Sequence, residues 1–77
     1  MISKEMILDW LSEKLVGAKI VVQGDDGAHF HAKIEYSGFK GLTKIKQHRI
    51  VYDALGERVG GQIHALSLTT LVPAEEI

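Results

Sequence analysis

Gly24-Asp25-Asp26-Gly27-Ala28-His29-Phe30-His31-Ala32-Lys33-Ile34-Glu35-Tyr36 is the stretch from which the fold can be read. Its two glycines and paired aspartates supply the positive-φ positions of a tight reversal. Beyond the reversal, Phe30, Ala32, Ile34 and Tyr36 alternate with His29, His31, Lys33 and Glu35. A period of two places the apolar set on one face of a strand and both histidines on the other. The β-rich run from Ala18 to Gln23 lies just upstream, so the two runs and the turn between them predict a hairpin.

Outward from the hairpin the periodicity changes. Ile2, Met6, Ile7, Trp10, Leu11 and Leu15 recur at helical spacing, with Ser3 placed to cap the start and Gly17 to end it. On the other side, Gly38 and Gly41 interrupt the pattern around Phe39. Thr43 can then cap a second helix carrying Ile45, Ile50, Val51, Tyr52, Ala54, Leu55 and Val59. The outward side of that helix is expected to hold Lys44, Lys46, Gln47 and part of the His48-Arg49 pair. Gly60-Gly61 ends it, and Ile63 to Val72 is a β-branched and leucine-rich strand stopped by Pro73.

The predicted order is α-β-β-α-β, an α/β fold of the α+β kind, ending in a short acidic C-terminal turn. A helix joining two strands of one sheet favours a parallel, right-handed crossover. The third strand therefore joins the hairpin in a mixed three-stranded sheet, with both helices on one face. At 77 residues the chain has material for one core, so residues 1–77 are read as one domain without internal repeats or linkers.

Composition narrows the chemistry. With no cysteine the chain offers no thiolate as nucleophile, redox centre or ligand, so metal chemistry must run through imidazole or carboxylate. A formal net charge of -1 argues against holding nucleic acid by bulk electrostatics. The first residues resemble neither a signal peptide nor a membrane span, and the expected location is cytoplasmic, away from membranes. No nucleophile elbow, Walker-type loop or carboxylate pair with a shared pocket is recognisable, and Asp25 and Asp26 are accounted for by the turn. The chain is read as a non-enzyme.

Gly24-Asp25-Asp26-Gly27-Ala28-His29-Phe30, Phe39-Lys40-Gly41, Gln47-His48-Arg49-Ile50-Val51-Tyr52, Ile63-His64-Ala65-Leu66 and Thr70-Leu71-Val72-Pro73, taken in this order, resemble the BolA-like family. The short glycine-rich hairpin is similar to that of its bacterial, IbaG-like branch. The resemblance implies a KH-like fold, in agreement with the order derived above. It also implies partnership with a monothiol glutaredoxin through a shared [2Fe-2S] cluster, in iron-sulfur trafficking, assembly or iron sensing. There the glutaredoxin and glutathione supply sulfur. The BolA-like protein supplies the histidine of Ile-His-Ala-Leu, here His64, and often a second ligand from the hairpin region. His29 is the leading candidate for that second ligand, with His31 behind it. Imidazole can replace thiolate on one iron, as Rieske centres show. The isolated protein is expected to carry no cluster and to be a monomer or weak homodimer.

Two departures from the family stand out. Many members have Arg-His-Arg where this chain has Gln47-His48-Arg49, and many end in Pro-x-x-Trp where this chain has Pro73-Ala74-Glu75-Glu76-Ile77. Phe39, Lys40, Gly41, Lys44, Lys46, Gln47, His48 and Arg49 are the expected surface for partners. They would serve equally in the alternative reading, a DNA-binding transcriptional regulator using helix two and the preceding loop. Each feature also has a plainer explanation. A lone histidine is most often solvated or structural, His48 and Arg49 suit an ordinary solvated helix face, and Phe39 suits a loop anchor in the core. The G-x-x-G of Gly38 to Gly41, by which KH domains clamp nucleic acid, is also common by chance.

Overall fold

The computed structural model describes residues 2–63 and 65–74. Helix α1 spans Lys4–Lys14, strand β1 Lys19–Gln23, strand β2 His29–Glu35, helix α2 Lys44–Leu55 and strand β3 Ala65–Leu71. Single 3₁₀ turns occupy Ser37–Phe39 and Gly56–Arg58. The expected α-β-β-α-β order is therefore present. The expected C-terminal turn falls mainly on residues 75–77, outside the described residues, as does His64.

The local signals act as their chemistry dictates. Ser3 caps α1 by accepting from the Met6 backbone N–H at 3.2 Å, and Thr43 caps α2 by accepting from Lys46 N–H. Gly17, with φ of 85°, turns the chain out of α1 towards β1. In the hairpin turn, one Asp26 carboxylate oxygen accepts from the backbone N–H groups of Ala28 and His29, at 2.9 and 2.8 Å. The aspartate thus closes an Asx-type turn on itself.

Strands β1 and β2 pair antiparallel, β2 and β3 pair parallel, and the sheet order is β1-β2-β3. The crossover through α2 makes the parallel pairing possible. The inner face of β2, Phe30, Ala32 and Ile34, is buried in one core with Ile7 and Leu11 of α1, Leu15 at its C-cap, and Val51 and Leu55 of α2, with Phe39 and Ile63 closing it. Each of the larger side chains contributes about 1.5–3 kcal/mol when fully buried. Arg58 stacks over Trp10 with its guanidinium carbon 4.3 Å from the ring centroid, tying the turn after α2 to α1.

Helix α2 departs from the reading of its sequence. Its inward stripe runs through Gln47, Val51 and Leu55, whereas Ile45 is 74% exposed. Ile45 precedes Gln47 by two residues and so sits about 200° from it around the helix. Val59 lies beyond the helix, because Gly56, with φ of 59°, ends α2 and starts the 3₁₀ turn.

In a parallel pair, a residue turns its N–H and C=O to the same neighbour. Ala65 donates to the Ala28 carbonyl, and the Leu71 carbonyl accepts from Tyr36, so odd-numbered residues of β3 face β2. Leu66, Leu68 and Thr70 consequently turn their backbone groups to the free edge. Helix α2 guards that edge: Tyr52 donates its hydroxyl to the Leu66 carbonyl at 3.4 Å, and the Lys44 ammonium donates to the Thr70 carbonyl.

Candidate functional site

The uncovered sheet face carries His31 between Gln23 and Ser67 and Lys33 between Val21 and Thr69, with His29 at the start of β2 opposite Ala65. Ala65 directly follows His64 in the chain. The residues flanking position 64 are held firmly. Ile63 is buried, donates to the Arg58 carbonyl at 2.8 Å and forms a bridge to Val59, and Ala65 N–H donates to the Ala28 carbonyl at 3.2 Å. The β3 entrance is thereby fixed beside the hairpin turn.

His29 is 77% exposed and its Nδ1 lies 2.8 Å from the second carboxylate oxygen of Asp26. That carboxyl is held well below the usual carboxylate range, first by the hydrogen bond from the His29 backbone N–H, then by the one from Ala28, then by the His29 ring. An ionised carboxylate only accepts, so Nδ1 of His29 carries the proton of the pair. No hydrogen bond to Nε2 of His29 occurs among the described residues. An open groove adjoins this ring, lined by Phe30, Tyr52, Val59, Ala65 and Leu66.

His31 is placed differently. Its Nδ1 is 2.6 Å from the Ser67 hydroxyl and its Nε2 is 3.0 Å from the Thr69 hydroxyl. In either neutral tautomer one ring nitrogen donates and the other accepts, and each hydroxyl can take the complementary role. Both ring nitrogens are committed to β3. As a metal ligand, His31 would first have to surrender one of these bonds. Among the described residues, no three histidine, aspartate or glutamate side chains converge as a metal site.

The expected partner surface divides in two. Lys40, Gly41, Lys44, Lys46 and Arg49 are exposed, and His48 is half-buried. Phe39 and Gln47 are corrections. Phe39 is fully buried, with its ring edge-on to Tyr36 at a centroid distance of 5.2 Å. Gln47 is 5% exposed and hydrogen-bonded to the Leu42 carbonyl at 2.9 Å and to Thr70 at 2.7 Å. The glycines of the Gly38 to Gly41 loop have structural reasons of their own. A Cβ on Gly38 would collide with the Tyr36 ring, and Gly41 has φ of 80°.

Sequence reasoning treated Asp26 as a turn residue and missed its contact with the imidazole three positions on. An aspartate at that offset from a histidine across a turn was the available signal. The hydroxyls of Ser67 and Thr69 were invisible as partners for His31 until the parallel register was known.

Two helices on one face of a mixed three-stranded sheet, with an exposed histidine where the hairpin meets β3, define a small α+β domain of KH-like order. The profile of the family described as "BolA-like protein" matches residues 11–75, and the chain belongs to that family. It is 36% identical over 72 residues to the chloroplastic protein BOLA1 of Arabidopsis thaliana, covering 92% of this chain and 45% of that protein. It is 42% identical over 53 residues to the Arabidopsis SufE-like protein 1, chloroplastic/mitochondrial, covering 68% of this chain and 14% of that one. The chain thus spans less than half the length of these curated relatives. A solved bolA protein homologue from Coxiella burnetii superimposes with a TM-score of 0.85 at 38% identity, covering 95% of this chain and 94% of that one. Among the described residues, no helix is long and apolar enough to cross a membrane.

Proposed function

We propose that this chain is a non-enzymatic BolA-like adaptor that shares a [2Fe-2S] cluster with a monothiol glutaredoxin and glutathione. His64 and His29 would supply its imidazole ligands. The observation that carries this reading is the presentation of His29. Its Nδ1 is engaged by Asp26, its exposed ring borders an open groove, and the parallel register sets it opposite the residue after His64. The donor chemistry fits the group, because a chain without thiols can still contribute imidazole nitrogen to an iron whose sulfur comes from the partner. The bound cluster would supply iron-sulfur cargo or an iron signal; the chain's own residues orient the ligand and shape the docking groove.

Mixing the protein with glutaredoxin, iron, sulfide and glutathione tests the proposal. A heterodimer with visible absorption and circular dichroism distinct from those of the glutaredoxin homodimer is expected. His64→Ala should weaken this coupling most and His29→Ala next. A spectrum identical to the glutaredoxin control would refute the proposal. The surface favours nucleic-acid binding less. Two of its expected surface residues, Phe39 and Gln47, are internal, and the Lys44 ammonium is engaged by a backbone carbonyl.

A further inference from the structure

We infer that Asp26 is the positioning residue that selects Nε2 of His29 as the ligating nitrogen, an assignment that deepens the proposed function and rests on it. One carboxylate oxygen of Asp26 is spent on the turn, accepting from Ala28 and His29 N–H groups at 2.9 and 2.8 Å. The other is 2.8 Å from Nδ1 of His29. The same side chain therefore fixes the backbone that launches β2 and the ring attached to it. An acceptor-only partner keeps the proton on Nδ1 and leaves the lone pair on Nε2. Histidine ligands are commonly arranged this way, with a carboxylate on the nitrogen that does not bind metal, which fixes ring orientation and raises ligand basicity. At His31, by contrast, the ring is held between two hydroxyls of its own sheet.

Asp26→Asn separates the two tasks of the side chain. Its amide oxygen still accepts from Ala28 and His29, so the turn is retained, but its amide N–H₂ now faces Nδ1 and donates to it. Nδ1 must then accept, and the proton moves to Nε2. Long-range proton–nitrogen NMR correlation on the isolated protein near neutral pH reads this directly. The neutral wild-type ring should show the Nδ1–H form and Asp26→Asn the Nε2–H form. The Ala28 and His29 amide resonances should be little changed, and intact mass should confirm that the new amide has not deamidated. Cluster uptake with glutaredoxin should weaken about 10- to 100-fold in Asp26→Asn. A wild-type ring protonated at Nε2, or a tautomer unaffected by the substitution, overturns the inference, as does full cluster affinity in Asp26→Asn. The expected pair of tautomers in a protein that takes up no cluster overturns the functional reading and leaves the control of the His29 tautomer standing.

Discussion

Gln47 of α2 and Thr70 of β3 meet inside the protein, the Thr70 hydroxyl donating to the Gln47 side-chain oxygen at 2.7 Å. The Gln47 amide donates in turn to the Leu42 carbonyl at 2.9 Å and to the Phe39 carbonyl at 3.4 Å. One side chain thus joins helix, loop and final strand. Gln47→Leu should cost about 1–3 kcal/mol, because it strands buried polar partners. Thr70→Val added to Gln47→Leu should cost less than the sum of the two. Urea denaturation of the four proteins in the cycle measures the coupling, and strict additivity would show that the bond contributes nothing.

Phe39 closes the core from the loop before α2 and is fully buried. Phe39→Ala should destabilise the domain by about 3–5 kcal/mol. A thermal melt within a degree or two of wild type would mean that the ring is not packed as described.

The two strand histidines should separate cleanly. His31→Ala removes hydrogen bonds to Ser67 and Thr69, costing about 0.5–1.5 kcal/mol, while leaving cluster uptake intact. His29→Ala, at an exposed position, should change stability by less than about 0.5 kcal/mol and impair uptake. Chemical denaturation beside cluster titration of both variants checks the crossed pattern.

Acid should loosen the hairpin turn through Asp26. Its folded carboxyl is held below its unfolded value, chiefly by backbone N–H groups, so the stabilisation is present above the ordinary carboxylate range. It is lost as pH falls below that range. Urea midpoints measured from pH 6 down to pH 3 should drop less in Asp26→Asn than in wild type, since the amide keeps its acceptor without titrating. Parallel curves for the two proteins would contradict the assignment.

Lys44 and Tyr52 shield the open edge of β3 by occupying the Thr70 and Leu66 carbonyls. An unprotected edge is a template for pairing with another chain. Lys44→Ala combined with Tyr52→Phe should therefore self-associate at concentrations where wild type does not, as sedimentation velocity would show.

Most of the fold was legible because its signals are local. Ser3, Thr43, Gly17 and the alternation from His29 to Tyr36 each act within a few residues, and Pro73 follows the end of β3. What escaped reading depends on residues distant in sequence. Gln47 looks like an outward-facing polar residue until Thr70 arrives with a hydroxyl in place of an apolar side chain. Ile45 looks like core until the register of α2 against the sheet turns it to solvent. The histidines could be placed on one sheet face, and family resemblance puts His29 ahead of His31, but the physical reason for that order lay in the folded chain. Distinguishing them required Asp26 on one side and the Ser67 and Thr69 hydroxyls on the other.

The parallel pairing of His29 with Ala65 has a consequence for when the site comes into being. The hairpin can close within a short stretch of chain, but its neighbour in the sheet is delivered only after the whole α2 crossover has been made and folded back. Long-range pairings of this sort form late, once the entropy of closing the intervening loop has been met. A chain still emerging from the ribosome can therefore display His29 alone, and the junction of hairpin and final strand exists only in molecules that have finished folding.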